Sequence, residues 1–188
     1  DAVVLGISDY FGKLGFRKAV LGLSGGIDSA VVLYLAQKAL GPENVRSLLM
    51  PSEFSSGHSV DDSVKLSENL GTEYEIVAIE NLFKNFQQDL KPLFGDLPFN
   101  LAEENLQARI RGVLLMAVSN KFGNILMNTS NKSECAVGYS TIYGDMNGGL
   151  SVIADLYKTE VYELARWINR NGEVIPENII TKAPSAEL

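Results

Sequence analysis

The stretch between residues 18 and 50 constrains the fold more than any other. Ala19-Val20-Leu21-Gly22-Leu23 is a continuous apolar run, the pattern of a strand covered on both faces rather than on one. It ends in Ser24-Gly25-Gly26, and a helical pattern then occupies 28–40. Val31, Val32, Leu35, Ala36 and Ala39 can line its inner side, Asp28 or Ser29 can cap its start, and Gly41-Pro42 ends it. A second strand pattern follows at 45–50. A strand, a crossover helix and another strand, so closely spaced, specify a parallel pair joined by a right-handed crossover.

The rest of the chain continues the alternation. Helical spacing covers 3–16, 59–70, 81–90, 102–122 and 158–171, and strand patterns cover 73–79 and 124–128. The expected fold is a three-layer α/β/α sandwich with a mostly parallel sheet of about five strands, formed by one domain over residues 1–188. Such sheets bind ligands at the carboxyl ends of their strands. The loops 51–58 and 128–150 both follow strand patterns and are expected at that edge.

Composition enters as a filter. Of the 188 residues, 46% are apolar and 21% charged, which excludes disorder and fibrous repeats. The net charge of −7 makes a poor nonspecific binder of nucleic acid or of an anionic membrane, but is compatible with Mg²⁺. No apolar run approaches the roughly 20 residues needed to span a bilayer. The lone Cys135 forms no internal disulfide and fits a reducing, cytoplasmic setting; it is read as a packing residue. His58, the single histidine, is read as ordering its loop rather than as an acid or base. The chain opens at Asp1 rather than Met and is read as a fragment, without the charged flank and cleavage site of a signal peptide.

The string Gly22-Leu23-Ser24-Gly25-Gly26-Ile27-Asp28-Ser29 carries the first chemistry. Two glycines let the backbone turn sharply and approach an anion, the helix start offers free N–H groups, and Ser24 and Ser29 add hydroxyls. The Lys-Ser/Thr ending of a Walker A loop is absent. Asp28 would repel a bare phosphate, and an intervening Mg²⁺ resolves the conflict. This string resembles the pyrophosphate loop of the adenine-nucleotide α-hydrolase-like ATP pyrophosphatases, which implies ATP cleaved between its α and β phosphates.

Further strings narrow the resemblance. Glu104-Asn105-Leu106-Gln107-Ala108-Arg109-Ile110-Arg111, Asn128-Thr129-Ser130-Asn131-Lys132-Ser133-Glu134, Gly138-Tyr139-Ser140-Thr141-Ile142-Tyr143-Gly144-Asp145 and Lys182-Ala183-Pro184-Ser185-Ala186-Glu187-Leu188 are similar to the NAD synthetase family, in the family's order. Leu156-Tyr157-Lys158-Thr159 is a weaker match. The wording lies closer to the synthetase domain of glutamine-dependent members, so a glutaminase domain could precede Asp1. The resemblance implies ATP-dependent amidation of deamido-NAD by ammonia through an acyl-adenylate. A GMP synthetase-like amidase and a non-catalytic adenine-nucleotide module are the competing readings.

Residue by residue, the resemblance places Thr129, Lys158 and Ser185 with the loop on ATP. Asp28 and Glu134 would hold Mg²⁺, Asn105, Arg109 and Glu134 would meet deamido-NAD, and Asp145 could bind ammonium. Asn105 and Arg109 are one helical turn apart and share a face. The family's dimer interface includes this helix, and apolar residues all round 102–122 agree with a homodimer. The chain stops at Leu188, where the family continues through a further segment with substrate contacts.

Overall fold

The structure is a computed structural model that describes residues 1–55 and 57–183. Eight α-helices and five strands appear among the described residues, together with two short 3₁₀ turns. The order is α1 (Ala2–Leu14), β1 (Ala19–Gly22), α2 (Ile27–Leu40), β2 (Val45–Leu49), α3 (Gly57–Leu70), β3 (Glu73–Ile76) and α4 (Glu80–Phe94). It continues with α5 (Leu101–Phe122), β4 (Ile125–Asn128), α6 (Lys132–Val137), β5 (Leu150–Ser151), α7 (Lys158–Ile168) and α8 (Glu177–Thr181). The strands form one sheet in the order β3-β2-β1-β4-β5, every pair parallel. This is the expected three-layer α/β/α sandwich.

The period-2 alternation of the strands divides the core. Ala19, Leu21, Val45, Leu49, Ile125 and Met127 face α1, α2, α3, α7 and α8. The intervening Val20, Leu48 and Leu126 face α4 and α5, where Phe83 and Ile110 are buried. β1 sits centrally, so it has no polar face, and Val20 and Leu21 are wholly buried. β3 is an edge strand and can be polar; Arg46 of β2 reaches across to Glu73, 2.8 Å away.

Several boundaries differ from the sequence expectation, each for a local reason. The fifth strand is β5, a pair of residues inside the long loop and too short to leave a period. α6 is a single short helix set by a capping box between Asn131 and Glu134. α4 runs on through Pro92 to Phe94, beyond the expected end at 90. α7 ends at Ile168, and Asn169–Asn171 is a 3₁₀ turn rather than its last turn. α5 begins where expected because Asn100 and Glu103 form a reciprocal cap. Its apolar residues do point several ways: Ile110 to the sheet, Leu115 to a cavity, Val113 and Met116 to solvent. Cys135 is exposed on α6, which corrects its reading as a packing residue. His58 lies exposed in the first turn of α3, inside a helix rather than in a loop.

Candidate active site

β1 and β4 are adjacent although most of the chain lies between them in sequence, and the loops leaving their carboxyl ends meet. One cavity of about 500 Å³ opens there. Its lining includes Gly22, Leu23, Ser24, Gly26, Ile27, Asp28 and Ser29 from the first loop, and Thr129, Glu134, Asp145 and Lys158 from the later ones. These expected site residues are therefore brought together. Ser185 lies outside the described residues.

The first loop is tied by its own hydroxyls. Ser29 Oγ donates to the Gly26 carbonyl at 3.0 Å, Gly26 N–H donates to Ser24 Oγ at 3.2 Å, and the two hydroxyls lie 3.3 Å apart. Gly25 is required. Its φ of +78° is left-handed, and a Cβ there would stand 2.5 Å from the Ser59 carbonyl oxygen of α3. The cap expectation is corrected: Gly26 is the N-cap of α2, with no side chain capping it. The first-turn N–H groups thus remain oriented at the cavity mouth. Asp28 does not cap the helix and instead meets Asn131 and Lys158.

Asp28 is the centre of a polar cluster. Its Oδ1 accepts from Asn131 Nδ2 at 3.0 Å, and its Oδ2 pairs with Lys158 Nζ. Asn131 is wholly buried and its Oδ1 accepts from the Glu134 N–H at 3.0 Å, while Glu134 Oε2 accepts from the Asn131 N–H at 3.1 Å. One asparagine therefore joins the two carboxylates expected to share a metal. The half-buried Glu134 carboxyl is pushed above its ordinary pKa, first by desolvation, with the charges of Asp28 and Asp145 adding to the shift. Lys158 and the bond from Asn131 pull the other way.

Asp145 comes to the cavity on a loop pressed against α5. At Gly112 a Cβ would stand 2.6 Å from Asn147 Nδ2 and 2.9 Å from the Tyr143 carbonyl, so only a glycine lets the loop lie this close. Asn128 Nδ2 donates to the Asp145 carbonyl at 2.7 Å, and Asp145 Oδ1 accepts from the Thr141 N–H at 2.7 Å. Asp145 is exposed as a residue, yet desolvation of its carboxyl by burial is the largest influence and raises its pKa against the backbone N–H bonds it accepts.

Asn105 and Arg109 do share a face, but it looks at the loop rather than the cavity. Asn105 Oδ1 accepts from Thr141 Oγ1 at 2.7 Å, and Arg109 Nε donates to the Ile142 carbonyl at 3.2 Å. The neighbouring face of α5, with Ala108, Arg111 and Leu115, lines the cavity. Gly25 is itself absent from the lining, although Ser59, against which it packs, is part of it. Sequence reasoning passed over three residues. Asn131 stood inside a quoted motif but carried no role. Arg111 donates through Nε to the Met50 carbonyl at 3.0 Å and lines the cavity. Lys182 lines it from beyond α8.

The two carboxylates fit Mg²⁺ by their chemistry: hard oxygen donors on one buried bridge, with a carboxyl whose anionic form is disfavoured until a cation arrives. No group of three metal-ligating side chains occurs among the described residues. A Mg²⁺ here would complete its shell with phosphate oxygens and water, which is its usual habit.

A family model described as NAD synthase matches residues 1–188. The glutamine-dependent NAD(+) synthetase of Synechocystis sp. is 58% identical over 188 residues, covering 100% of this chain and 34% of that protein. The chain thus spans about a third of the length of the curated relatives it matches. The glutamine-dependent NAD+ synthetase of Acinetobacter baumannii, solved with adenosine diphosphate, superposes with a TM-score of 0.94 at 47% identity, over 98% of this chain and 35% of that one. The NMN synthetase of Francisella tularensis superposes with a TM-score of 0.89 at 31% identity, over 99% of this chain and 74% of that one.

Proposed function

The chain belongs to the NAD synthase family, and from that premise we propose that the protein amidates deamido-NAD to NAD⁺ at the expense of ATP. The observation that carries this reading is the Asp28–Asn131–Glu134 bridge, which ties the serine-glycine loop to the segment after β4 at the edge of one cavity. A module that merely bound adenine nucleotides would have no use for two carboxylates beside a phosphate loop. The adenosine diphosphate in the Acinetobacter baumannii relative supports an adenine nucleotide in the same place.

In this mechanism the first-turn amides of α2, with Ser24, Ser29 and Thr129, bind the phosphates of ATP. Ser185 is assigned to ATP as well, on the family resemblance. Lys158 exchanges its Asp28 partner for phosphate oxygen. Asp28 and Glu134 would hold Mg²⁺, which supplies charge neutralisation between the phosphates when bound. Asn105 and Arg109 fix deamido-NAD so that its nicotinate carboxylate lies in line with the α-phosphorus. That carboxylate attacks, the bond to the β-phosphate oxygen breaks, and pyrophosphate leaves with the bonding pair. Ammonia then attacks the acyl carbon of the adenylate and AMP departs. Asp145 holds the nitrogen as ammonium and accepts the proton that frees ammonia; its raised pKa makes it a better acceptor. Positioning and charge supply most of the work.

The position of Arg109, outside the phosphate cavity, supports its assignment to deamido-NAD rather than ATP. The relatives' greater length and printed names support a glutaminase domain as the ammonia source. Exposed Val113 and Met116 on α5 support a homodimer through that helix. The free, exposed Cys135 suits the cytoplasm.

The test is an acceptor screen read by pyrophosphate release, with ammonia and ATP in excess. Deamido-NAD should be preferred over nicotinate mononucleotide and xanthosine monophosphate. Preference for nicotinate mononucleotide would align the protein with the Francisella tularensis neighbour, and preference for xanthosine monophosphate would make it a GMP synthetase-like amidase. In the same assay Arg109→Ala should raise the KM for deamido-NAD about 10- to 150-fold, the loss of one charge-assisted contact, while the KM for ATP stays near wild type.

A further inference from the structure

Lys182 enters the cavity from the opposite flank to Lys158. Its mounting is rigid: Ile179 and Ile180 of α8 are buried in the core, and the Lys182 N–H donates to the Asn178 carbonyl at 3.0 Å. Asn178 Nδ2 ties the helix to Asp62 of α3 at 2.5 Å. From this base the half-buried Lys182 Nζ donates to Ser59 Oγ at 2.9 Å. Ser59 is the residue whose carbonyl closes on Gly25, so the ammonium is anchored on the same residue that backs the glycine turn.

The two lysines differ in charge balance. Lys158 is neutralised by Asp28. Lys182 takes part in no ion pair among the described residues, and its hydrogen-bond partner there is a neutral hydroxyl. A half-buried ammonium beside a glycine turn, without a counter-charge among the described residues, is a place for an anion. The α-phosphate of a bound nucleotide must lie near Asp28 and Glu134 for the acceptor carboxylate to reach it. The β and γ phosphates would then extend along the glycine turn toward Ser59, which lines the same cavity.

We propose that Lys182 contacts the pyrophosphate half of ATP and holds it as the leaving group, a role distinct from that of Lys158 at the carboxylate pair. The proposal rests on the ATP-cleaving reading above. During the first step the bridging oxygen gains negative charge as its bond to the α-phosphorus breaks, and an ammonium beside the departing phosphates stabilises that charge. Lys182 therefore binds pyrophosphate and is indifferent to AMP.

Calorimetric titration of the intact protein with inorganic pyrophosphate plus Mg²⁺, and separately with AMP, tests this. Lys182→Met should weaken pyrophosphate binding about 10-fold or more, with AMP affinity and melting temperature unchanged. Lys182→Arg should restore most of the loss. Unchanged pyrophosphate affinity in Lys182→Met would overturn the assignment alone, and so would a parallel loss of AMP affinity or a fallen melting temperature, the signs of a structural tie between α8 and α3. A wild-type protein that binds no pyrophosphate would overturn the ATP-cleaving reading together with it.

Discussion

Replacing Gly25 with alanine should unseat the phosphate loop. The backbone there has φ +78°, which costs an L-residue about 1–2 kcal/mol. The added Cβ would also meet the Ser59 carbonyl oxygen at 2.5 Å, with Ser59 C and Cα at 3.0 Å. All three are backbone atoms at the start of α3, so no side chain can swing aside. Either the loop or the α3 terminus must move. Alanine returns about 0.4–1 kcal/mol by narrowing the unfolded ensemble. The net expectation is a loss of about 2–4 kcal/mol, which for a domain of this size lowers Tm by about 4–16 °C. Gly26 is the internal control. It has no left-handed φ, and a Cβ there would meet the movable Ser24 hydroxyl at 3.2 Å. Gly26→Ala should thus cost under about 1 kcal/mol. Urea unfolding of both variants followed by circular dichroism decides the matter. Equal stability of the two variants, or a Gly25→Ala loss below about 0.5 kcal/mol, would refute the close-approach argument.

Two other outcomes follow from the geometry. The Glu134 carboxyl has a raised pKa in the folded chain, so its contribution to stability is present at low pH and is lost as pH rises through that folded value; Glu134→Gln should raise Tm at pH 8 in the absence of Mg²⁺, with the gain vanishing near pH 4, and a gain of the same size at both pH values would show that charge burial is not its source. Asn100→Ala removes the reciprocal cap of α5 and should cost about 1 kcal/mol in urea unfolding, whereas no change would mean that packing alone sets the start of that helix.

What the sequence made legible was local. The serine-glycine loop is contiguous, so its turn, its anion-facing amides and its place after a buried strand could all be read from 22–29. The strands were visible where they are covered on both faces, as in β1, and their ends blurred where the sheet meets water, as at β3. Helix phase was read correctly for Asn105 and Arg109, which share a face; which neighbour that face meets depends on the path of the 138–150 loop, and periodicity carries no information about that. Asn131 was overlooked for a related reason. An asparagine at a helix start looks like a cap, and it is one. Its second role, donating to Asp28, exists because β4 lies beside β1, a fact of topology that no local pattern encodes.

The strand order has a consequence for how the chain comes into being. β1 is made first, yet it ends in the middle of the sheet, and its second edge stays open until β4 arrives, when Ala19 can pair with Ile125. β1, β2 and β3 assemble through short crossovers; the β4 pairing must close a far longer loop, with the entropy cost and delay that nonlocal contacts carry. In the interval the unpaired backbone N–H and C=O groups along one edge of an apolar strand are exposed, the kind of surface that invites association with other chains. The bonds from Asp28 to Asn131 and to Lys158 span 103 and 130 residues, so they form only after that gap closes. A nascent or partly folded chain can possess the glycine loop and still have no counterpart for Asp28. If the proposed nucleotide site is right, affinity for ATP should therefore be a late event in maturation, and its appearance during refolding should time the sealing of the central strand.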